Sequence, residues 1–185
     1  MKKQITAIID ASTLIIFAKL NELESLPDIY GPIGIPPAVY EVVVEGTKRG
    51  FDDALVVEAA IGRGFLARVT LSPKERELAE QLRASSPAYG LGECEAIACA
   101  ETRDVLLLIE ERKAKTLARV RGVRYSIAQV VPFEGYVAGK IAYERCLRMM
   151  ERIAVLMNTD IAVLNALRAA VETMEREREE GRNGG

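Results

Sequence analysis

The chain has 185 residues and not one histidine. Imidazole is therefore absent both as a general base and as a metal ligand, and acid–base or metal chemistry must rest on carboxylates, thiols, hydroxyls and lysine. Cysteine is nearly absent too. Cys94, Cys99 and Cys146 form an odd set without metal-ligand spacing, which excludes a disulfide framework and predicts reduced thiols buried in helices of a cytosolic protein. Aromatics make up only 5% of residues, and Tyr89, Tyr125 and Phe133 are the only ones near the basic run 112–124, so base stacking is not signalled. No run reaches the roughly 18 uncharged apolar residues of a membrane span. Met1-Lys2-Lys3 precedes too short an apolar stretch for a signal peptide. Asn and Gln are scarce, as in heat-adapted proteins. A formal charge of −2 excludes a uniformly basic nucleic-acid coat but not a local patch.

What is present is apolar residue in quantity, 49% of the chain, arranged with alternating periods. Residues 4–9 read as a buried strand closed by Asp10, with a helix over 12–20 capped by Ser12. Leu23 and Leu26 lead to a break at Pro27. Residues 33–35 form a second strand, and Pro36-Pro37 opens a helix ended by Gly46. A helix over 52–62, a strand over 65–71, a helix from Ser72-Pro73 to about residue 84, a loop over 85–90 and a helix over 91–102 come next. The unbroken run Val105–Ile109 is the best candidate for a central parallel strand. A basic helix over 112–121 is ended by Gly122, and a short strand spans 123–125. This alternation predicts an α/β domain over residues 1–135 with a parallel sheet flanked by helices. Residues 136–179 form a helical extension in which helices 140–157 and 160–179 each carry an apolar stripe, the second capped by Thr159 or Asp160. The almost wholly polar segment from Glu175 is expected to fray, with 180–185 a disordered tail.

Acidic residues fall at the places where a parallel sheet would bring them together. Asp10 ends the first strand, Glu41 lies one turn into the helix after the second, Glu93 begins the helix over 91–102, and Glu110-Glu111 come directly after the central strand. Open α/β sheets collect ligands at that edge, at a switch in strand order. Two carboxylates 4 Å apart repel by about 4 kcal/mol at an effective dielectric near 20, so a cluster of them calls for a hard cation, Mg²⁺ or Mn²⁺. Such an ion would activate water and steady a phosphoryl oxyanion. Arg112, Lys115 and Arg119 share a face of the basic helix and could meet RNA phosphates beside the acids. The bland alternatives are a helix-start acid stabilised by the dipole for Asp10, Glu93 and Glu110-Glu111, one exposed helix residue among many for Glu41, and a solvated face for the basic helix. Gly90-Leu91-Gly92 lacks the third glycine of a phosphate loop and does not come after a strand.

The segments Ile8-Ile9-Asp10-Ala11-Ser12-Thr13-Leu14-Ile15, Ile35-Pro36-Pro37-Ala38-Val39-Tyr40-Glu41, Gly92-Glu93-Cys94-Glu95-Ala96-Ile97-Ala98 and Leu106-Leu107-Leu108-Ile109-Glu110-Glu111-Arg112-Lys113-Ala114 occur in the order and spacing of a PIN domain. Over about residues 4–131 the chain resembles the VapC-type branch of prokaryotic toxin–antitoxin pairs. That resemblance implies a PIN fold, Mg²⁺- or Mn²⁺-dependent cleavage of RNA, a homodimer and a partner antitoxin. It assigns Asp10 as the first acid with Ser12 orienting it, Glu93 as the third, and Glu111 or Glu110 as the fourth, where relatives use an Asp-containing pair. For the second acid Val42 stands at the usual glutamate position, leaving Glu41 or Glu45 to serve. Ser126 falls near the hydroxyl that comes after the last strand. Asp10, Glu93 and Glu111 are then the expected metal ligands, with Glu41 a further catalytic candidate. The alternative is a catalytically degenerate PIN domain acting as a binding or oligomerisation module. Haloacid-dehalogenase-like phosphatases also begin with strand-Asp, but they need a second Asp where Ser12 stands.

Overall fold

A computed structural model describes residues 4–48 and 52–183. The chain divides into two compact units between Ile127 and Ala128. The first is built on five parallel strands in the order β3-β2-β1-β4-β5: β1 (Ala7–Ile9), β2 (Ile33–Ile35), β3 (Leu66–Arg68), β4 (Leu106–Leu108) and β5 (Tyr125–Ser126). Between them run α1 (Ala11–Lys19), α2 (Ser25–Tyr30), α3 (Pro37–Lys48), α4 (Asp53–Gly62), α5 (Pro73–Ser85), α6 (Leu91–Arg103) and α7 (Arg112–Val120). Every residue of β1 and β2 is buried, as befits inner strands covered on both faces. Ile8, Ile9, Ile33, Ile35, Leu107, Leu108 and Ile109 are fully buried, each contributing about 1.5–3 kcal/mol of apolar transfer. Gly34 in β2 is required by space: a Cβ there would lie 2.7 Å from Val69 Cγ1 and 2.9 Å from Ile8 Cδ1.

The strand order creates the crevice of this sheet. From β1 the chain builds outward through β2 to β3, then crosses back to place β4 on the other side of β1. The C-terminal ends of β1 and β4 therefore diverge at a switch point, where an open parallel sheet leaves room for a ligand. Asp10 comes one residue after the end of β1, and Glu110-Glu111 come just beyond the end of β4.

Several local expectations change. The cap of α1 is Asp10 rather than Ser12: Asp10 has the extended backbone that precedes the helix and its Oδ1 accepts the Thr13 N–H at 2.7 Å, while Ser12 already lies inside the first turn. Pro27 does not break the chain but sits in the first turn of α2, where a missing N–H costs nothing. Gly46 lies inside α3, which runs to Lys48. The strands β1, β3 and β4 are shorter than their apolar runs, because pairing stops before hydrophobicity does, β2 has the expected bounds, and the last strand is Tyr125–Ser126 rather than 123–125. Ser72 opens α5 with a capping box shared with Glu75.

The second unit holds α8 (Val131–Val137), α9 (Tyr143–Met157) and α10 (Ile161–Asn183). Asp160 Oδ1 caps α10 through the Ala162 N–H at 2.7 Å. Arg168 of α10 pairs with Glu151 of α9 at 3.0 Å, as in a helical hairpin. The segment from Glu175 does not fray as expected: α10 continues through Asn183. The Tyr136 hydroxyl bonds Glu175, and Arg178 lies over the Tyr136 ring at 4.3 Å, which ties the polar end down where composition alone offers no anchor. Met1-Lys2-Lys3 and residues 184–185 of the expected tail lie outside the described residues. Among the described residues no helix is long and apolar enough to cross a membrane.

Candidate active site

The switch point carries a cleft of about 340 Å³ lined by Asp10, Ala11, Ser12, Ala38, Glu41, Val42, Glu45, Gly90, Leu91, Gly92 and Glu93. Asp10 is its deepest acid, only 2% exposed. Its backbone is pinned to β4 by a 2.9 Å bond from its N–H to Leu108 O. Its carboxylate is held at both oxygens, by the Thr13 N–H and by the Glu110 N–H at 3.2 Å. Burial raises its pKa above the ordinary 3.8, donation from the Thr13 side chain and from the Thr13 and Glu110 N–H groups pulls the other way, and the charge of Glu111 adds to the rise.

Glu93 enters from the first turn of α6. One of its oxygens accepts the N–H of the cap residue Gly90 at 3.1 Å. Partial burial raises its pKa, the Gly90 N–H opposes that, and Glu111 and Asp10 reinforce it while Lys113 counters. Asp10, Glu93 and Glu111 thus act on one another electrostatically, although they come from three different elements. Glu41 and Glu45, one turn apart on α3, both line the cleft and both are exposed. Val42, on the same wall, is 48% exposed.

Of the residues expected at the site, Asp10, Ser12, Glu41 and Glu93 line the cleft together. Glu110 and Glu111 do not line it; Glu110 contributes its backbone N–H, and Glu111 contributes charge from the exposed cap of α7. Ser126 is buried in β5, paired with Leu108, and does not line the cleft. On α7 Arg112 and Arg119 are exposed and Lys115 is half-buried. The cation whose charge reaches Glu93 is their neighbour Lys113.

Sequence reasoning gave no role to two residues that matter here. Thr13 donates the cap bond, a role legible in the three-residue spacing from Asp10. Glu95 accepts the Ala38 N–H at 2.8 Å across 57 residues, a contact no local pattern announces. Burial raises the Glu95 pKa, the Ala38 N–H opposes it and the Glu41 charge adds to it.

The donor set is all carboxylate oxygen, which suits a hard divalent cation rather than a soft one. The mutual repulsion of Asp10, Glu93 and Glu111 is what such an ion would relieve. Among the described residues no three acidic or thiol side chains stand close enough together to hold an ion. A larger hollow of about 920 Å³ lies along β3, with Arg63, Arg68 and Arg103 in its wall. Its cations are already engaged: Arg63 with Glu24 at 2.6 Å, Arg103 with Glu75 at 2.5 Å, and Arg68 over the Tyr40 ring at 3.9 Å. It contains none of the clustered acids.

No curated protein matches the chain. Residues 6–131, more than half of it, match a family model described as a PIN domain.

Proposed function

The chain belongs to the PIN-domain family, and from that premise we propose that it is a nuclease that hydrolyses RNA phosphodiesters with Mg²⁺ or Mn²⁺ held at the switch-point cleft. The observation that supports this most is Asp10. A carboxylate 2% exposed, raised in pKa by burial and facing the charges of Glu93 and Glu111 is costly without a cation. Asp10 and Glu93 would hold the ion, with Glu111 as a third ligand and Glu41 or Glu45 approaching from α3. Such an ion would supply Lewis acidity, acidifying water and steadying negative charge on phosphoryl oxygens. The chain's own residues supply the rest. Thr13 and Glu110 N–H groups fix the direction of the Asp10 oxygens. The cations of α7, namely Arg112, Lys113, Lys115 and Arg119, would attract the phosphate backbone.

On the sequence resemblance alone, we extend the reading to a cytoplasmic VapC-type toxin acting as a homodimer, held in check by an antitoxin. Residues 1–135 would form the nuclease domain and 136–179 its helical extension. Light scattering on the purified chain tests the dimer, expected at twice the monomer mass.

The test of the main reading is Mn²⁺ calorimetry on wild type and Asp10→Asn, followed by cleavage of an RNA panel. Binding in the wild type that is lost in the variant, with metal-dependent cleavage, supports the nuclease. The absence, among the described residues, of any acidic trio at coordination distance favours one rival, a degenerate PIN domain kept as a binding module. Wild-type protein that binds no Mn²⁺ at millimolar concentration would decide for that rival.

A further inference from the structure

We propose that Glu95 is the positioning residue of this cleft: from α6 it caps the N-terminus of α3 and so fixes the wall that carries Glu41 and Glu45. The inference rests on the cation-site reading for its consequence, but its structural basis is independent.

α3 begins in an unusual way. The Tyr40 N–H bonds to Pro36 O at 3.0 Å, which puts Pro36 at the cap position and Pro37 at the first helical position. A cap residue ordinarily offers a side-chain oxygen to the N–H groups of the first turn, and proline has none to offer. Pro37 suits its place because its fixed φ matches the helix and it brings no N–H. Ala38 and Val39 are left as the donors that the helix cannot satisfy itself. Glu95 Oε2 takes the first of them at 2.8 Å, bringing negative charge to the positive end of the helix dipole. The missing cap is supplied from another helix.

The starts of α3 and α6 pack closely: a Cβ at Gly92 would lie in van der Waals contact with Val39, 3.4 Å from its Cγ2 and 3.6 Å from its backbone nitrogen. The segment Glu93-Cys94-Glu95 therefore does two jobs. Glu93 lines the cleft and bonds Gly90, and Glu95, two residues or about 200° round the helix, grips the opposite wall. Cys94 between them is buried in the core. With α3 gripped at Ala38, Glu41 and Glu45 are held one and two turns beyond the anchor. Glu95 itself does not line the cleft.

Three variants test this: Glu95→Gln keeps the acceptor without the charge, Glu95→Asp keeps the charge but is one methylene too short, and Glu95→Ala removes both. Two quantities are read, hydrogen exchange at the Ala38 amide in metal-free protein and Mn²⁺ affinity by calorimetry. We expect Ala38 exchange at least about tenfold faster in the Asp and Ala variants and near wild type in the Gln variant. Mn²⁺ affinity is expected to change in the same order, falling about 10–100-fold in the first two, as for partners that orient metal ligands. If the Gln variant loses affinity as the Ala variant does, Glu95 acts through its charge and the positioning role is overturned. Ala38 exchange unchanged in the Asp and Ala variants overturns it as well. If wild type binds no Mn²⁺, the cation reading fails by itself, and Ala38 exchange still decides whether Glu95 holds α3. Should the Ala variant not fold, the Gln and Asp pair carries the same comparison.

Discussion

Asp10→Asn separates the helix cap from the charge, and the structure fixes what each is worth. In the wild type the two oxygens accept N–H groups from Thr13 at 2.7 Å and Glu110 at 3.2 Å. An asparagine carbonyl keeps the shorter bond, while its NH₂ cannot accept the second, a loss of about 1–3 kcal/mol. Opposing that is the buried charge. Burial holds the Asp10 pKa above its ordinary value of 3.8, so the ionised carboxylate is less stable in the fold than in the unfolded chain, and asparagine removes that cost. The two effects oppose, and in chelator at pH 7 the variant should melt within about 1 kcal/mol of wild type, or roughly 2–4 °C for a chain of this length.

The pH dependence carries the sign. A folded pKa above the unfolded one means that the native state binds the proton more tightly, so wild type gains on the variant as pH falls through the raised value towards 3.8, and gains nothing further below it. If the variant instead gained on wild type with falling pH, the carboxylate would be held down by its donors and the burial argument would be wrong. Mn²⁺ gives the second arm. At a hundred times its Kd a ligand adds about 2.7 kcal/mol, roughly 5–10 °C here, to wild type and nothing to Asp10→Asn. Equal shifts in both proteins by scanning calorimetry would remove Asp10 from the cation site.

Other residues yield sharper single outcomes. Burial pushes the Glu75 pKa up, but the Arg103 guanidinium and the Ser72 donors outweigh it and leave the group below its ordinary 4.5. Its stabilisation is therefore present above pH 4.5 and lost as pH falls through the lower folded value. Glu75→Ala should cost about 2–3 kcal/mol at pH 7, less than a fully buried pair because Arg103 is 25% exposed, and urea melts in which that gap persisted at about pH 2 would contradict the ion-pair origin. Gly34→Ala drives a Cβ into Val69 and Ile8 and should destabilise by about 1–3 kcal/mol; a neutral result would mean that β3 shifts freely. Lys113→Ala should weaken binding of a single-stranded RNA and lower its log–log salt slope by about 0.7, whereas an unchanged slope in fluorescence titrations would exclude a phosphate contact there.

How much of this was legible in the sequence depends on the range of the interaction involved. Asp10 stood out because a lone acid after Ile5–Ile9 can only close a buried strand, and the run Val105–Ile109 announced its neighbour β4 in the same way. The helix α5 emerges from its Ser72 cap and its periodicity, and α6 and α7 from periodicity alone. The faces that elements present to one another were not legible. Arg112, Lys115 and Arg119 form the obvious stripe on α7, yet the charge that reaches Glu93 is that of Lys113, because the packing of Ala114 and Ala118 into the core sets the rotation of the helix. Nor does composition reveal that Tyr136 will anchor Glu175 and Arg178 and keep α10 helical to Asn183.

The second acid that the resemblance to VapC-type domains leads one to expect shows the same boundary most clearly. On that resemblance Val42 occupies the position of the glutamate, and Glu41 stands about 100° from it on a helix. The structure places Glu41, Val42 and Glu45 together in the wall of one open cleft, so strict register matters less than where α3 as a whole is held. That depends on its first turn, which Pro36 and Pro37 leave without a local cap and Glu95 completes from 57 residues away. A displaced glutamate is thus a question about the anchoring of a helix before it is a question about a missing ligand.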